Sequence, residues 1–359
     1  MDVGLSKMYV DDRIRQAVIE VIDAGHYIKG HRLEEFEHEF ARFCNTEHAI
    51  GVSSGTSAIL LTLMALGIGA GDEVIVPAHT FIATATPAMF LGARPVFADI
   101  DPEDYTISVA DAKSKISART KAIIPVHLYG HPCDMDPILE LAREHGLHVI
   151  EDACQAHGAE YKGRRVGSLA DVACFSFYPS KNMTVLGDGG MVTTSNATLA
   201  NKIRMLADHG RTEKYVHQLL GLNFRMSEIS AAIGTEQLGH VAEWNQRRRE
   251  IAARYSSLLQ GSEVATPVEK KWARHVYHMY VIRVKQRDKL ASYLKAAGIQ
   301  TGIHYPVPLH HQPCVKSEVQ LPVTEQYADE VLSLPMHPQL TDTEIDYVAA
   351  SIKKFVRQA

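Results

Sequence analysis

The strongest constraint on this chain is a rhythm rather than a single motif. HAIGV, EVIVP, PVFAD, KAIIPV and LHVIED are short apolar runs. Between them lie TSAILLTLMALG, FIATATPAMFLG, VADAKSKI and DPILELAREHG, which carry helical spacing. Strands separated by helices cannot pair as tight hairpins. They pair in parallel, with the helices packed on the sheet's two faces. The expectation is therefore an α/β fold. Ligands in such sheets gather beyond the carboxyl ends of the strands. Those ends carry Ser54, His79, Asp99, His127 and Asp152.

The pattern changes after about residue 240. WNQRRREIAARYSSLL predicts a long connecting helix, and KWARHVYHMYVIRV alternates like a strand with one exposed face. RDKLASYLKAAG reads as a short amphipathic helix stopped by Gly298. Thr341 and Glu344 stand in capping-box spacing ahead of Ile345, Val348, Ile352 and Phe355. With 359 residues, too many for one ordinary core, this predicts a large domain over 1–240 and a smaller α+β domain over 241–359. A net charge of −5 argues against a nucleic-acid partner. No stretch reads as a signal peptide or a membrane span. The five cysteines are odd in number and form no CxxC, which suits reduced thiols in a cytoplasmic protein.

Three segments carry chemistry. SSGTSA, Ser53 to Ala58, joins a strand to a helix. Small residues at a helix N-terminus let backbone N–H groups approach an anion, and Thr56 and Ser57 add hydroxyls beside Gly55. The string GIGAGDE follows a helix and precedes a strand, the reverse of a dinucleotide-binding loop, so it reads as a turn. In LHVIEDACQ, Asp152 ends a buried strand, where a carboxylate needs a partner. That partner is either a structural donor or a pyridinium nitrogen, whose protonation the carboxylate would maintain. Gln155 stands one turn on. In VACFSFYPSKNMTVLGDGG, Lys181 follows an apolar strand and a proline turn. A lysine desolvated there has a lowered pKa and forms Schiff bases.

These segments, followed by GLNFRMSEISAAIG, resemble in content and order the DegT/DnrJ/EryC1/StrS family of sugar aminotransferases. The likeness runs from GHYIKGHRLEEFE to LSLPMHP, nearly the whole chain. The resemblance implies an aspartate-aminotransferase-like fold (fold type I), a large, mostly parallel sheet domain with a smaller α+β one. It also implies a homodimer with composite sites. The cofactor it implies is pyridoxal 5′-phosphate, held by Lys181, with pyridoxamine phosphate carrying nitrogen between the two half-reactions. On this likeness Phe81 stacks on the ring, Asp152 meets its nitrogen and Gln155 its oxygen. Thr56, Ser57 and Ser176 hold the phosphate, and Asn223 reaches it from the partner subunit. A branch with histidine at the lysine position performs dehydration; this chain keeps Lys181.

His127, His131, Cys133 and Asp134 in HLYGHPCD are residue types that zinc uses. The same string matches a loop of the family that binds no metal, so no metal site is expected. His304 and Tyr305 match the family's substrate-facing HYP turn, and Tyr178 lies where it would line the sugar pocket. The implied reaction moves an amino group, from glutamate by analogy, to a ketone of a nucleotide-linked sugar. SFYP before the lysine and GDGG after it resemble the branch that acts at carbon 3. The alternatives are a ketone at carbon 4, an aminocyclitol substrate, a non-catalytic cofactor-binding regulator and a metal-dependent hydrolase.

Overall fold

The structure, a computed structural model, describes residues 1–315 and 317–358. Seven strands form the main sheet: β1 (His48–Val52), β2 (Glu73–Pro77), β3 (Arg94–Ala98), β4 (Thr120–Ile123), β5 (His148–Asp152), β6 (Val172–Ser176) and β7 (Gly190–Thr194). Their order across the sheet is β1-β7-β6-β5-β4-β2-β3. The pairs β3–β2, β2–β4, β4–β5 and β5–β6 are parallel. β7 runs antiparallel to both of its neighbours, β6 and β1. The expected parallel sheet is thus present with one reversed strand, which follows β6 after the Lys181 turn without a crossover helix.

Helices cover both faces, and their apolar sides form two cores. One gathers Phe36, Phe40, Ile138, Phe175 and Phe177; the other gathers Ile59, Leu61, Leu63, Val76 and Ile203. Both faces of the strands are buried, so the strands read as continuous apolar runs instead of alternating ones. A third core packs the helix Val241–Leu259 with Arg287–Ala296, Asp342–Gln358 and the antiparallel pair Tyr280–Arg283 and Val331–Leu334. Val3 belongs to this third core and bridges Ile299, so the first residues pack against the C-terminal elements.

The Thr341 box forms as read: Thr341 Oγ1 accepts from Glu344 N at 3.2 Å, and Glu344 Oε2 accepts from Thr341 N at 2.8 Å. Gly298 takes φ +77° just past its helix, where a side chain would be strained. The segment KWARHVYHMYVIRV departs from its reading. Only Ala273–Arg274 and Tyr280–Arg283 are strand. Between them His275, Tyr277 and His278 are all buried, so no exposed face exists. Among the described residues, no helix is long and apolar enough to cross a membrane.

Candidate active site

A cavity of about 490 Å³ opens beyond the carboxyl edge of β5 and β6, as strand topology requires. Lys181, Asp152, Gln155, Gly55, Thr56, Phe81, Ser176, Tyr178, His304 and Tyr305 all line it. These residues come from five separated segments, and the crossovers bring them together.

Lys181 is delivered by a tight turn after β6, closed by Lys181 N donating to Tyr178 O at 2.8 Å. The next residue is anchored from below. Asn182 Nδ2 donates to Asn245 Oδ1 at 2.9 Å and to Val276 O at 3.1 Å. Burial pulls the Lys181 amine below its usual range, a drop that Cys154 and Asp152 partly oppose. Three histidines around it are also depressed, all chiefly by burial: His304 to about 4, His157 to about 3, and His278 well below its ordinary value. The amine therefore sits among neutral rings.

Asp152 is buried at the end of β5. Its Oδ2 accepts from Thr84 Oγ1 at 2.8 Å, and its Oδ1 accepts from Cys154 N at 3.2 Å. Thr80 Oγ1 lies 3.1 Å from Thr84 Oγ1 and extends this support. Phe81 and Tyr178 are more than half exposed, so their rings are free to meet a ligand. The Phe81 and Tyr305 rings lie 5.9 Å apart.

Opposite them, β1 leads through Ser53 to Ser54, the N-cap of the helix Gly55–Leu66. Here β7 and the turn come so close that a Cβ on Gly190 would lie 2.4 Å from the carbonyl of Ser54. A Cβ on Gly55 would lie 2.8 Å from Cys154 Sγ and from Ser176 Cβ. The result is a helix N-terminus in a narrow cradle, with Thr56 and Ser176 hydroxyl-bearing at its rim. Ser57 does not line the cavity. Its Oγ accepts from Ser54 N at 2.9 Å and its N donates to Ser54 Oγ at 3.1 Å, so it closes the capping box. Asn223 is exposed and lies outside this chain's own cavity.

The HLYGHPCD residues point elsewhere. His127 accepts from Cys133 N at 3.0 Å and meets Glu151 Oε2 at 3.1 Å. His131 meets Pro132 O at 2.8 Å and accepts from Lys270 N at 3.2 Å. Cys133 Sγ donates to Val126 O, and Asp134 accepts from Tyr161. Every nitrogen of the two histidines is committed. Among the described residues His310, His311 and Glu325 also converge. There Glu325 Oε1 already accepts from Leu321 N at 2.9 Å and meets His310 Nε2 at 3.1 Å, as a helix cap does. Asp99 likewise caps the helix Pro322–Glu330 through Val323 N, Thr324 N and Thr324 Oγ1.

Sequence reading passed over Thr84, Thr80, Ser180, Met279 and Tyr129. Thr84 could have been suspected, since it follows the end of β2 in the same turn as Phe81. Thr80, beside Phe81, and Ser180, beside Lys181, carried the same local signal, whereas nothing local marks Met279 and Tyr129.

The family model described as the DegT/DnrJ/EryC1/StrS aminotransferase family matches residues 8–353. A dTDP-3-amino-3,4,6-trideoxy-alpha-D-glucose transaminase of Streptomyces venezuelae is 45% identical over 95% of this chain and 92% of its own. A UDP-N-acetyl-3-dehydro-alpha-D-glucosamine 3-aminotransferase of Acidithiobacillus ferrooxidans is 44% identical over 96% and 94%. The crystal structure of S. venezuelae DesV in complex with a ketimine intermediate superposes with a TM-score of 0.97 at 42% identity, covering 100% of this chain and 99% of that one.

Proposed function

This chain belongs to the DegT/DnrJ/EryC1/StrS aminotransferase family, and on that premise we propose that it moves an amino group from glutamate to a ketone at carbon 3 of a nucleotide-linked sugar. It is a pyridoxal-phosphate-dependent aminotransferase. The observation that carries the reading is the meeting of Lys181, Asp152 and Gln155 in one cavity with a capped helix N-terminus. Carbon 3 is supported by the two relatives above, both named for a 3-amino or 3-dehydro sugar.

The donor set fits pyridoxal phosphate. A depressed primary amine, a buried carboxylate and an anion cradle that a Cβ would fill are the groups such a molecule needs. Lys181 would hold it covalently through Nζ, Asp152 would keep its ring nitrogen protonated, and Gln155 would meet its ring oxygen. Phe81 would cover the ring. Gly55, Thr56 and Ser176 would hold the phosphate, with Ser57 acting through the helix cap. When bound, the cofactor supplies a sink for the electrons released as the donor's C–H bond breaks. Lys181 Nζ, favoured in its neutral form by burial, takes that proton and returns it one carbon away. Tyr178, His304 and Tyr305 orient the sugar. His304 is neutral at pH 7, so it contacts the sugar as a hydrogen-bonding group without adding charge.

The same reading makes the working form a cytoplasmic homodimer. Asn223 shares its loop with Tyr215 and Leu220, which are 81% and 93% exposed, an apolar display that suits a partner surface. In the partner's cavity Asn223 would complete the phosphate site. A division near residue 240 is supported by the third core, which is built mostly from residues after 250 and joined by Val3 from the start of the chain. The five cysteines are free thiols, as a reducing compartment would keep them.

The test is incubation with glutamate and matched 3-keto and 4-keto nucleotide sugars, with products assigned by NMR. Nitrogen at carbon 3 is expected. Nitrogen at carbon 4 alone would reject the regiochemistry and keep the transamination, whereas no transfer to any keto sugar would reject the substrate class.

A further inference from the structure

Tyr129 is a buried residue on which the hydrogen bonds of the cavity wall converge. It sits in the kinked stretch Leu128–Gly130 with φ 58° and ψ 4°. A bulky side chain adopts this left-handed backbone only where its surroundings impose it. Gly130 follows at φ +97°, and a Cβ there would meet Val276 at 2.9 Å and His278 N at 3.0 Å. The conformation aims Tyr129 N–H at Gln155 Oε1, 2.7 Å away. An N–H only donates, so the oxygen of the carboxamide must face it. Nε2 is then left to donate to the Tyr305 hydroxyl at 2.9 Å.

The other end of Tyr129 has an equally fixed polarity. Its hydroxyl donates to the carbonyl oxygen of His304, and His79 Nε2 lies 2.8 Å from the same hydroxyl. A carbonyl oxygen only accepts, so the Tyr129 proton points to His304. His79 must then carry its hydrogen on Nε2 and donate to Tyr129. Burial holds His79 neutral, at about 4, which leaves it one donor and one acceptor. The ring of Tyr129 packs with Tyr105, 5.8 Å away, and with Val126 and Val281.

We propose that Tyr129 is a positioning residue that ties the His304–Tyr305 turn to the sheet and fixes the Tyr305 hydroxyl as a hydrogen-bond donor toward the substrate. Tyr305 accepts from Gln155, so its own hydroxyl hydrogen remains for an oxygen in the cavity. The turn lies between elements of the third core, after the helix Arg287–Ala296 and before Val331–Leu334, and Gln155 follows β5; Tyr129 touches both. This rests on the cavity being the transfer site.

The experiment compares Tyr129→Phe with Tyr105→Phe in the holoenzyme. Tyr129→Phe keeps the ring and the backbone N–H and strips the hydroxyl from His304 O and His79. Amide exchange across residues 302–305 should rise about tenfold, because local opening is governed by the bonds that hold the segment. KM for the nucleotide sugar should rise about tenfold with kcat within about threefold, the signature of lost substrate placement. Tyr105→Phe should lower Tm without either change. Adding His79→Asn to Tyr129→Phe should change KM little further, since both act through one hydroxyl. Unchanged exchange in Tyr129→Phe, or the same rise in Tyr105→Phe, would overturn the proposal. Exchange is read without turnover, so a wild type that transferred no nitrogen would sink the proposed function while this comparison still decided the role of Tyr129.

Discussion

At the residue scale the site turns on one amine and what surrounds it. Lys181 is depressed mainly by burial, and His157, His278 and His304 around it are held neutral by the same cause. A protonated neighbour would have added repulsion; a second carboxylate would have stabilised the ammonium. None of these three rings is protonated at neutral pH, and the carboxylates lining the cavity are Asp152, which the cofactor ring would engage, and Asp188. Lys181→Ala should therefore remove both attachment and proton transfer, a loss of about 10³-fold or more in rate for a group acting as general base and anchor. Its cavity position predicts a folded variant with Tm near wild type. Borohydride reduction followed by mass spectrometry reads it directly: the wild-type chain should gain a cofactor-sized mass at Lys181 and the variant none. Near-normal turnover in the variant would remove Lys181 from the chemistry.

At the element scale the cradle depends on two backbones touching. Strand β7 reaches the Ser54–Gly55 turn because Gly190 has no side chain; its Cβ would meet Ser54 O and C at 2.4 Å. Backbone cannot rotate aside as a flexible side chain can, so Gly190→Ala must displace the turn. Overpacking of this kind costs about 1–3 kcal/mol. The expected result is a lower Tm together with weaker retention of pyridoxal phosphate on dialysis. A variant that lost stability but kept the cofactor would show that the turn does not hold the phosphate. The strands themselves were legible as sequence because burial on both faces makes them uniformly apolar. KWARHVYHMYVIRV was misleading for the opposite reason. Its alternation comes from His275, Tyr277 and His278, polar rings that are all buried, with His278 Nδ1 3.2 Å from Asn182 Oδ1 beneath Lys181. A period of two counts polarity and cannot see that a loop has been packed inside.

At the scale of the whole molecule, buried histidines couple stability to pH. His79, His131, His304 and His337 are held at about 4 and His157 at about 3, in each case chiefly by burial. Unfolded, they would titrate near 6.5. Between about 6.5 and 4 the unfolded chain binds protons that the fold refuses, so stability falls as pH falls through that window. Glu73 and Asp208 act lower. Both are held to about 2 against their burial, Glu73 by Ser117, Arg94 and Arg119, and Asp208 by Lys29 and Arg211. Their contribution is present above the unfolded value near 4 and is lost toward 2. Tm should therefore decline from pH 7 to 4.5; a flat profile over that range would contradict the neutral state of these rings.

The second whole-molecule prediction concerns sharing between chains. Mixing Lys181→Ala with Asn223→Ala protein should restore activity, because each hybrid dimer has one site with both residues intact. Verified hybrids with no recovery would mean that Asn223 serves no partner.

What the sequence determined by itself is the layered α/β fold and the strand ends as the place of the cavity; the roles of Lys181 and Asp152 there are proposed from the family resemblance. The fold follows from local information, apolar period and helix spacing. What only the tertiary structure decided are contacts between segments far apart in the chain. Thr84 reaches Asp152 across 68 positions and Tyr129 reaches His304 across 175. Hydrogen bonds of this kind have no signature in composition or spacing, because the donor and the acceptor become neighbours only when the crossovers close.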